Sequence, residues 1–151
     1  MLVIIDFNRT IFDPDTRELM EGARHMLGAL ARKGARLVLV SKNDRPGEPS
    51  RYETLTRLGV VRLFDEIRFV DAKDKTLFGD LMRSYGAQAG HTYVIGDYLY
   101  EEIRAGNQCG AITIRFKRGA FASDEPQMPD DEPTATVTRL MDIPELVNET
   151  T

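Results

Sequence analysis

Apolar runs that stop abruptly at a polar residue recur along this chain. Leu2-Val3-Ile4-Ile5 runs into Asp6, Leu37-Val38-Leu39-Val40 into Ser41-Lys42-Asn43, and Tyr93-Val94-Ile95 into Gly96-Asp97. Short continuous runs of this kind predict strands covered on both faces, as in a parallel sheet. Further strands are expected at the end of Leu63 to Val70, over Ala111 to Phe116, and at an edge over Thr134 to Val137. Between them the spacing turns helical. Leu19, Met20, Ala23, Met26, Leu27, Leu30 and Ala31 predict a helix, opened by a capping box at Asp15 and Glu18 and stopped by Gly34. A short helix is expected from about Ser50 to Leu58, and another burying Leu77, Phe78, Leu81, Met82 and Tyr85. One from about Tyr100 carries Ile103 and Ala105 inward, and Ile143 to Val147 closes the chain. Strands alternating with helices predict an α/β fold: a three-layer Rossmann-like sandwich with a mostly parallel central sheet, as one domain over residues 1–151.

Composition narrows the setting. The chain is 42% hydrophobic and 29% charged, an ordinary globular mixture. Twenty Lys and Arg against 24 Asp and Glu leave a net charge of −4, which argues against a general nucleic-acid binder. Cys109 is the only cysteine, so no intrachain disulfide forms. With no secretory leader pattern and no apolar run of membrane-spanning length, a cytoplasmic protein without a membrane partner is expected. The oligomeric state is left open. His25 and His91 lack partners at metal-ligand spacing, so both read as structural or surface residues.

The chemistry gathers at the strand ends. In a parallel sheet Asp6, Ser41 and Gly96-Asp97 share one rim, the edge where open α/β sheets bind ligands. The charged loop Asp71-Ala72-Lys73-Asp74-Lys75 opens a helix between the last two. A carboxylate nucleophile, a hydroxyl, a lysine and a second acid form a sensible phosphoryl-transfer site. Taken singly, each of these residues reads as well as a turn or cap.

Their joint order resembles that of the haloacid dehalogenase (HAD) superfamily over nearly the whole chain. The motifs are Asp6-Phe7-Asn8-Arg9-Thr10, Val40-Ser41, a lysine before a helix, and Val94-Ile95-Gly96-Asp97 followed by Glu101-Glu102. The resemblance implies Asp6 as covalent nucleophile and Ser41 as a phosphoryl ligand. Lys73 is the implied lysine, with Lys75 a competitor at similar spacing. It implies Mg²⁺ held by the side chains of Asp6 and Asp97 and the backbone carbonyl of Asn8, with Glu102 holding a metal-bound water. Thr10, Arg9, Lys75 and Asn43 are candidates for contact with substrate.

Asn8 stands where most phosphatases of the family carry an acid–base Asp. Asparagine neither gives nor takes a proton at neutral pH, so slow turnover is expected unless Asp13, Asp15 or Asp44 substitutes. No room is left for a cap domain after Asp6 or between Ser41 and Lys73. A capless site is open, suited to a large phosphorylated substrate or to a lid from a neighbour. The acidic stretch Phe121 to Pro133 is a candidate partial lid, against the plainer reading of a disordered surface loop. The expected function is a Mg²⁺-dependent phosphohydrolase. The alternative is a catalytically impaired module that binds phosphate or a protein.

Overall fold

A computed structural model describes residues 1–148. Its centre is β1, Leu2–Asp6, every residue of which is buried. A two-stranded hairpin follows, β2 (Phe12–Asp13) and β3 (Glu18–Leu19), and then α1 (Ala23–Arg32). Next come β4 (Arg36–Lys42), α2 (Arg51–Arg57), β5 (Glu66–Val70), α3 (Lys75–Ser84) and β6 (Thr92–Gly96). A π-helical turn over Leu99–Ile103 runs into α4 (Arg104–Gln108), followed by β7 (Ile112–Phe116) and β8 (Ala135–Val137). Six strands form one sheet in the order β5-β4-β1-β6-β7-β8, and each pairing is parallel. The expected α/β sandwich is present, with β8 at its edge.

Strand alternation divides the core into two layers. Val3, Ile5, Leu37 and Leu39 join Met26, Leu27 and Leu30 of α1 and Leu55 of α2. Leu2, Ile4, Val38 and Val40 join Phe78 and Leu81 of α3 and Ala105 of α4. Each fully buried aliphatic side chain contributes about 1.5–3 kcal/mol.

Two local expectations are corrected. Asp15 and Glu18 form no capping box, and Leu19 and Met20 lie outside α1. The Asp15 amide donates to Asp13 Oδ1 at 2.9 Å and the Glu18 amide to Thr16 Oγ1 at 3.3 Å, so side chains close a hairpin turn where a helix was expected. Arg17 has φ of 60°, which an α-helix does not accept, and Gly22 at φ 84° precedes the helix instead. The closing segment is two short 3₁₀ turns, Leu140–Asp142 and Pro144–Leu146, broken where Pro144 lacks an amide hydrogen. Lys33 Nζ donates to the carbonyls of Pro144 at 2.5 Å and Val147 at 2.9 Å.

The acidic stretch after β7 is ordered by two buried groups. Arg115 donates through one nitrogen to the carbonyls of Phe121, Ala122 and Asp124, at 2.9–3.3 Å. Asp131, wholly buried, takes a two-pronged bond from Arg104 at 2.6 and 3.0 Å. Among the described residues, no helix is long and apolar enough to cross a membrane.

Candidate active site

An open pocket of about 560 Å³ lies at the carboxyl edge of the sheet, where β1, β4 and β6 end. Asp6 stands on the central strand, level with Val40 on β4. One side of its carboxylate pairs with Lys73 Nζ and the other accepts from Thr10 Oγ1 at 3.2 Å. The turn after it is drawn tight because the amides of Thr10, Ile11 and Phe12 all converge on the Phe7 carbonyl at 3.0–3.3 Å. Phe7 and Phe12 stack with ring centres 5.0 Å apart. That turn leaves Asn8 and Arg9 facing the pocket and tucks Thr10 beneath Asp6.

Lys73 is delivered by the start of α3. Asp74 caps that helix, accepting the Leu77 amide at 2.9 Å, and Glu101 accepts the Lys73 amide at 2.9 Å. Glu101 also pairs with Lys42 Nζ at 2.9 Å.

Asp97 and Glu102 complete the acidic side. One carboxylate oxygen from each of Asp6, Asp97 and Glu102 lies within 4.8 Å of the others, and all three residues are buried. Glu102 accepts the Tyr98 amide at 3.3 Å and stands 4.0 Å from Lys73 Nζ. Its longer side chain folds back over β6. A Cβ on Gly96 would overlap the Glu102 side chain, so a larger residue there must displace it. Burial and the neighbouring charges of Asp6 and Glu102 push Asp97 up to about 9. Burial opposes the charge on Lys73, yet Asp6 and Glu102 hold its ammonium above the usual lysine range.

Asp97 Oδ2 is buried without a hydrogen-bond partner. Three carboxyl groups share one ammonium in a buried place, so ionising all of them calls for further positive charge. An orphaned oxygen within an all-oxygen donor set fits a hard divalent cation.

Of the cationic side, only Arg9 was a candidate from the sequence; Arg51, Arg45 and Lys42 were not. Arg51 is 8% exposed, and its NH1 donates to Ser41 Oγ at 2.9 Å and to the Lys42 carbonyl at 3.3 Å. Burial, and then Arg45 nearby, lower its pKa. Arg51, Arg45, Lys42 and Phe121 line the pocket with Asn8, Arg9, Asn43, Lys73, Asp97 and Glu102. Arg51 opens α2 behind Ser50, whose side chain accepts the Glu53 amide.

Several expected site residues lie elsewhere. Ser41 is fully buried and does not line the pocket. It follows Leu37 and Leu39 to the α1–α2 face, while Asp6 follows Leu2 and Ile4 to the α3 face. Its hydroxyl is occupied by Arg51 and by the Lys42 carbonyl at 2.8 Å. Thr10 touches Asp6 and does not line the pocket. Lys75 is exposed on the first turn of α3, outside the pocket. Asn43 lines the pocket, with its amide donating to Asp71 at 2.5 Å. Asp13, Asp15 and Asp44 do not line the pocket. Phe121 leans over the rim, 4.5 Å from the Tyr98 ring, while Asp131 is anchored on α4.

Residues 73–143 match the HAD-hydrolase-like family model. That match covers just under half of the chain, and the parallel sheet order with its strand-end acids agrees with a HAD-like fold. Glyceraldehyde 3-phosphate phosphatase of Methanopyrus kandleri is 29% identical over 104 residues, covering 66% of this chain and 45% of that protein. The chain thus spans about half the length of that relative. A haloacid dehalogenase-like family hydrolase from Xanthomonas campestris superposes with a TM-score of 0.78 at 15% identity, over 97% of this chain and 93% of that one. D,D-heptose 1,7-bisphosphate phosphatase from B. bronchiseptica, solved with magnesium and phosphate, gives 0.73 at 16% identity over 96% of each chain. The family match begins at Lys73 and so leaves Asn8 outside it.

Proposed function

We propose that this chain is a slow, Mg²⁺-dependent phosphohydrolase working through an aspartyl-phosphate on Asp6. The observation that carries the reading is the setting of Asp6: a buried carboxylate at the pocket floor, steadied by Lys73 and Thr10, beside Asp97 and Glu102. A HAD-like match and phosphatase relatives support it.

In this reading a carboxylate oxygen of Asp6 attacks phosphorus, the phosphorus–oxygen bond to the leaving alcohol breaks, and the alkoxide takes a proton from water. A second water then attacks the acyl phosphate, releasing inorganic phosphate and restoring Asp6. Lys73 pairs with Asp6 and offsets phosphoryl charge. Thr10 positions Asp6. Arg51, held in place by Ser41, takes the phosphoryl-binding role that Ser41 cannot reach from its buried position. Mg²⁺ would be held by Asp6, Asp97, the Asn8 carbonyl and Glu102, and would supply charge neutralisation of the phosphoryl oxygens. Asn8 offers no proton, and neither Asp13, Asp15 nor Asp44 replaces it at the pocket.

Intact-protein mass spectrometry after rapid acid quench tests this. Incubated with Mg²⁺ and acetyl phosphate, the protein is expected to gain a phosphoryl adduct that Asp6→Ala lacks. An adduct unchanged in Asp6→Ala would sink the mechanism. Asn8→Asp is expected to raise steady-state phosphate release by about 10²-fold, the lower range of acid–base help. No gain would assign the slowness to another cause.

The second reading is a phosphate- or protein-binding module without turnover. What favours it is Asn8 itself, which exchanges no proton where the resemblance implies an acid–base Asp. It predicts phosphate binding with neither adduct nor release.

A further inference from the structure

Beside the pocket lies a second cavity of about 200 Å³. Arg9, Arg45 and Arg51 line both, and Arg17 lines the second alone. Glu48 is the single acidic side chain on its wall. Among the described residues none of these four arginines takes part in an ion pair, in a chain whose net charge is −4. Exposed arginines are commonly solvated; a buried one such as Arg51 with no carboxylate partner is not.

The guanidiniums are also held in place. Arg51 lies over the Phe7 ring, 5.6 Å from its centre, and Arg17 over the Phe12 ring at 5.5 Å. Those two rings stack on each other, so the cations flank one rigid aromatic pair. Arg9 lies 5.4 Å from the centre of the Phe121 ring at the rim. Arg9 and Arg17 are the two non-glycine residues with positive φ among those described, at 61° and 60°. Such backbone persists where the surroundings hold it, and it concentrates at ligand sites.

We propose that this cavity is a second anion subsite, and that the substrate is a small phosphorylated molecule whose far end carries another phosphate or a carboxylate. The inference rests on the reading of the Asp6 pocket as a phosphoryl site. In it, Asp6 and Lys73 address the reacting phosphoryl group while Arg45, Arg17 and Arg9 receive the distal anion. Arg51, facing both cavities, sets the spacing between them.

Phosphonates test this without any turnover, because their carbon–phosphorus bond resists hydrolysis. Wild-type protein with Mg²⁺, at about 0.15 M salt to suppress long-range attraction, is titrated calorimetrically with alkane α,ω-bisphosphonates from ethane to hexane. Matched alkyl phosphonates and ω-phosphono carboxylates are titrated alongside. The best-fitting dianionic-ended probe is expected to bind about tenfold tighter than its alkyl phosphonate, roughly 1.4 kcal/mol. Its chain length reads the spacing, and the carboxylate arm tells phosphate from carboxylate. Arg17→Ala and Arg45→Ala are each expected to cut that ratio by about threefold or more. Arg36→Ala, at the opposite end of β4, removes the same charge and should leave it unchanged. A ratio near one at every length, or an equal fall with Arg36→Ala, overturns the subsite. A high ratio without an Asp6 adduct would retire the hydrolase and keep the subsite. An adduct with a ratio near one would do the reverse.

Discussion

The two halves of the pocket are built in opposite ways. The acidic half uses short side chains on or next to strand ends: Asp6 ends β1 and Asp97 follows β6, with Glu102 on the helical turn beyond. The basic half uses long side chains on loops and at the start of α2: Arg9, Arg45 and Arg51. On the acidic side charge is concentrated, buried and partly neutralised from within by Lys73. On the basic side it is spread toward solvent, and among the described residues Arg9, Arg45 and Arg51 form no ion pair, although Glu48 lines the adjoining cavity. Dense charge of one sign suits a compact cation, and a diffuse arginine wall suits an extended anion.

Lys73→Met should break the acidic half most severely. It leaves the buried Asp6 carboxylate without its ammonium partner, and a loss of about 3 kcal/mol in urea unfolding at neutral pH is expected. A much smaller loss would mean that water reaches the Asp6 carboxylate.

The next effect is one of pH. Folded Asp97, pushed up to about 9, keeps a proton that the unfolded chain loses above its ordinary 3.8. Unfolding therefore releases a proton between those values, and the metal-free protein should lose stability as pH rises through that window. Mg²⁺ should raise the melting temperature more at pH 8 than at pH 6, because it takes the proton's place. An equal rise at both would place the cation away from Asp97.

Gly96→Ala sharpens the contrast at smaller cost. The added methyl meets Glu102, and about 1–2 kcal/mol of stability should be lost together with Mg²⁺ affinity. A variant with unaltered melting and metal response would show that Glu102 can swing clear.

The same division explains what the sequence reveals. An apolar run ending in a polar residue carries its own address, so Asp6, Gly96 and Asp97 were readable at the rim, and Lys73 before a capped helix nearly so. Ser41 ends its strand in the same manner, yet one residue of parity turns it to the other face. Arg45 on a loop and Arg51 at the start of a helix follow no period and end no strand, so nothing in the sequence points them to the rim. The capping-box pattern at Asp15 and Glu18 failed for a related reason. Asp13 and Thr16 bonded their own backbone, and local turn chemistry prevailed over helical spacing.

The convergence of three amides on the Phe7 carbonyl has a temporal consequence. The segment bearing Asn8 and Arg9 opens only when those bonds and the Phe7–Phe12 stack give way together. Motion there is therefore rare and cooperative, slower than the nanosecond flicker of an ordinary surface loop. A ligand arriving at this edge meets a surface already set, and its residence time is governed by the contacts it breaks on leaving.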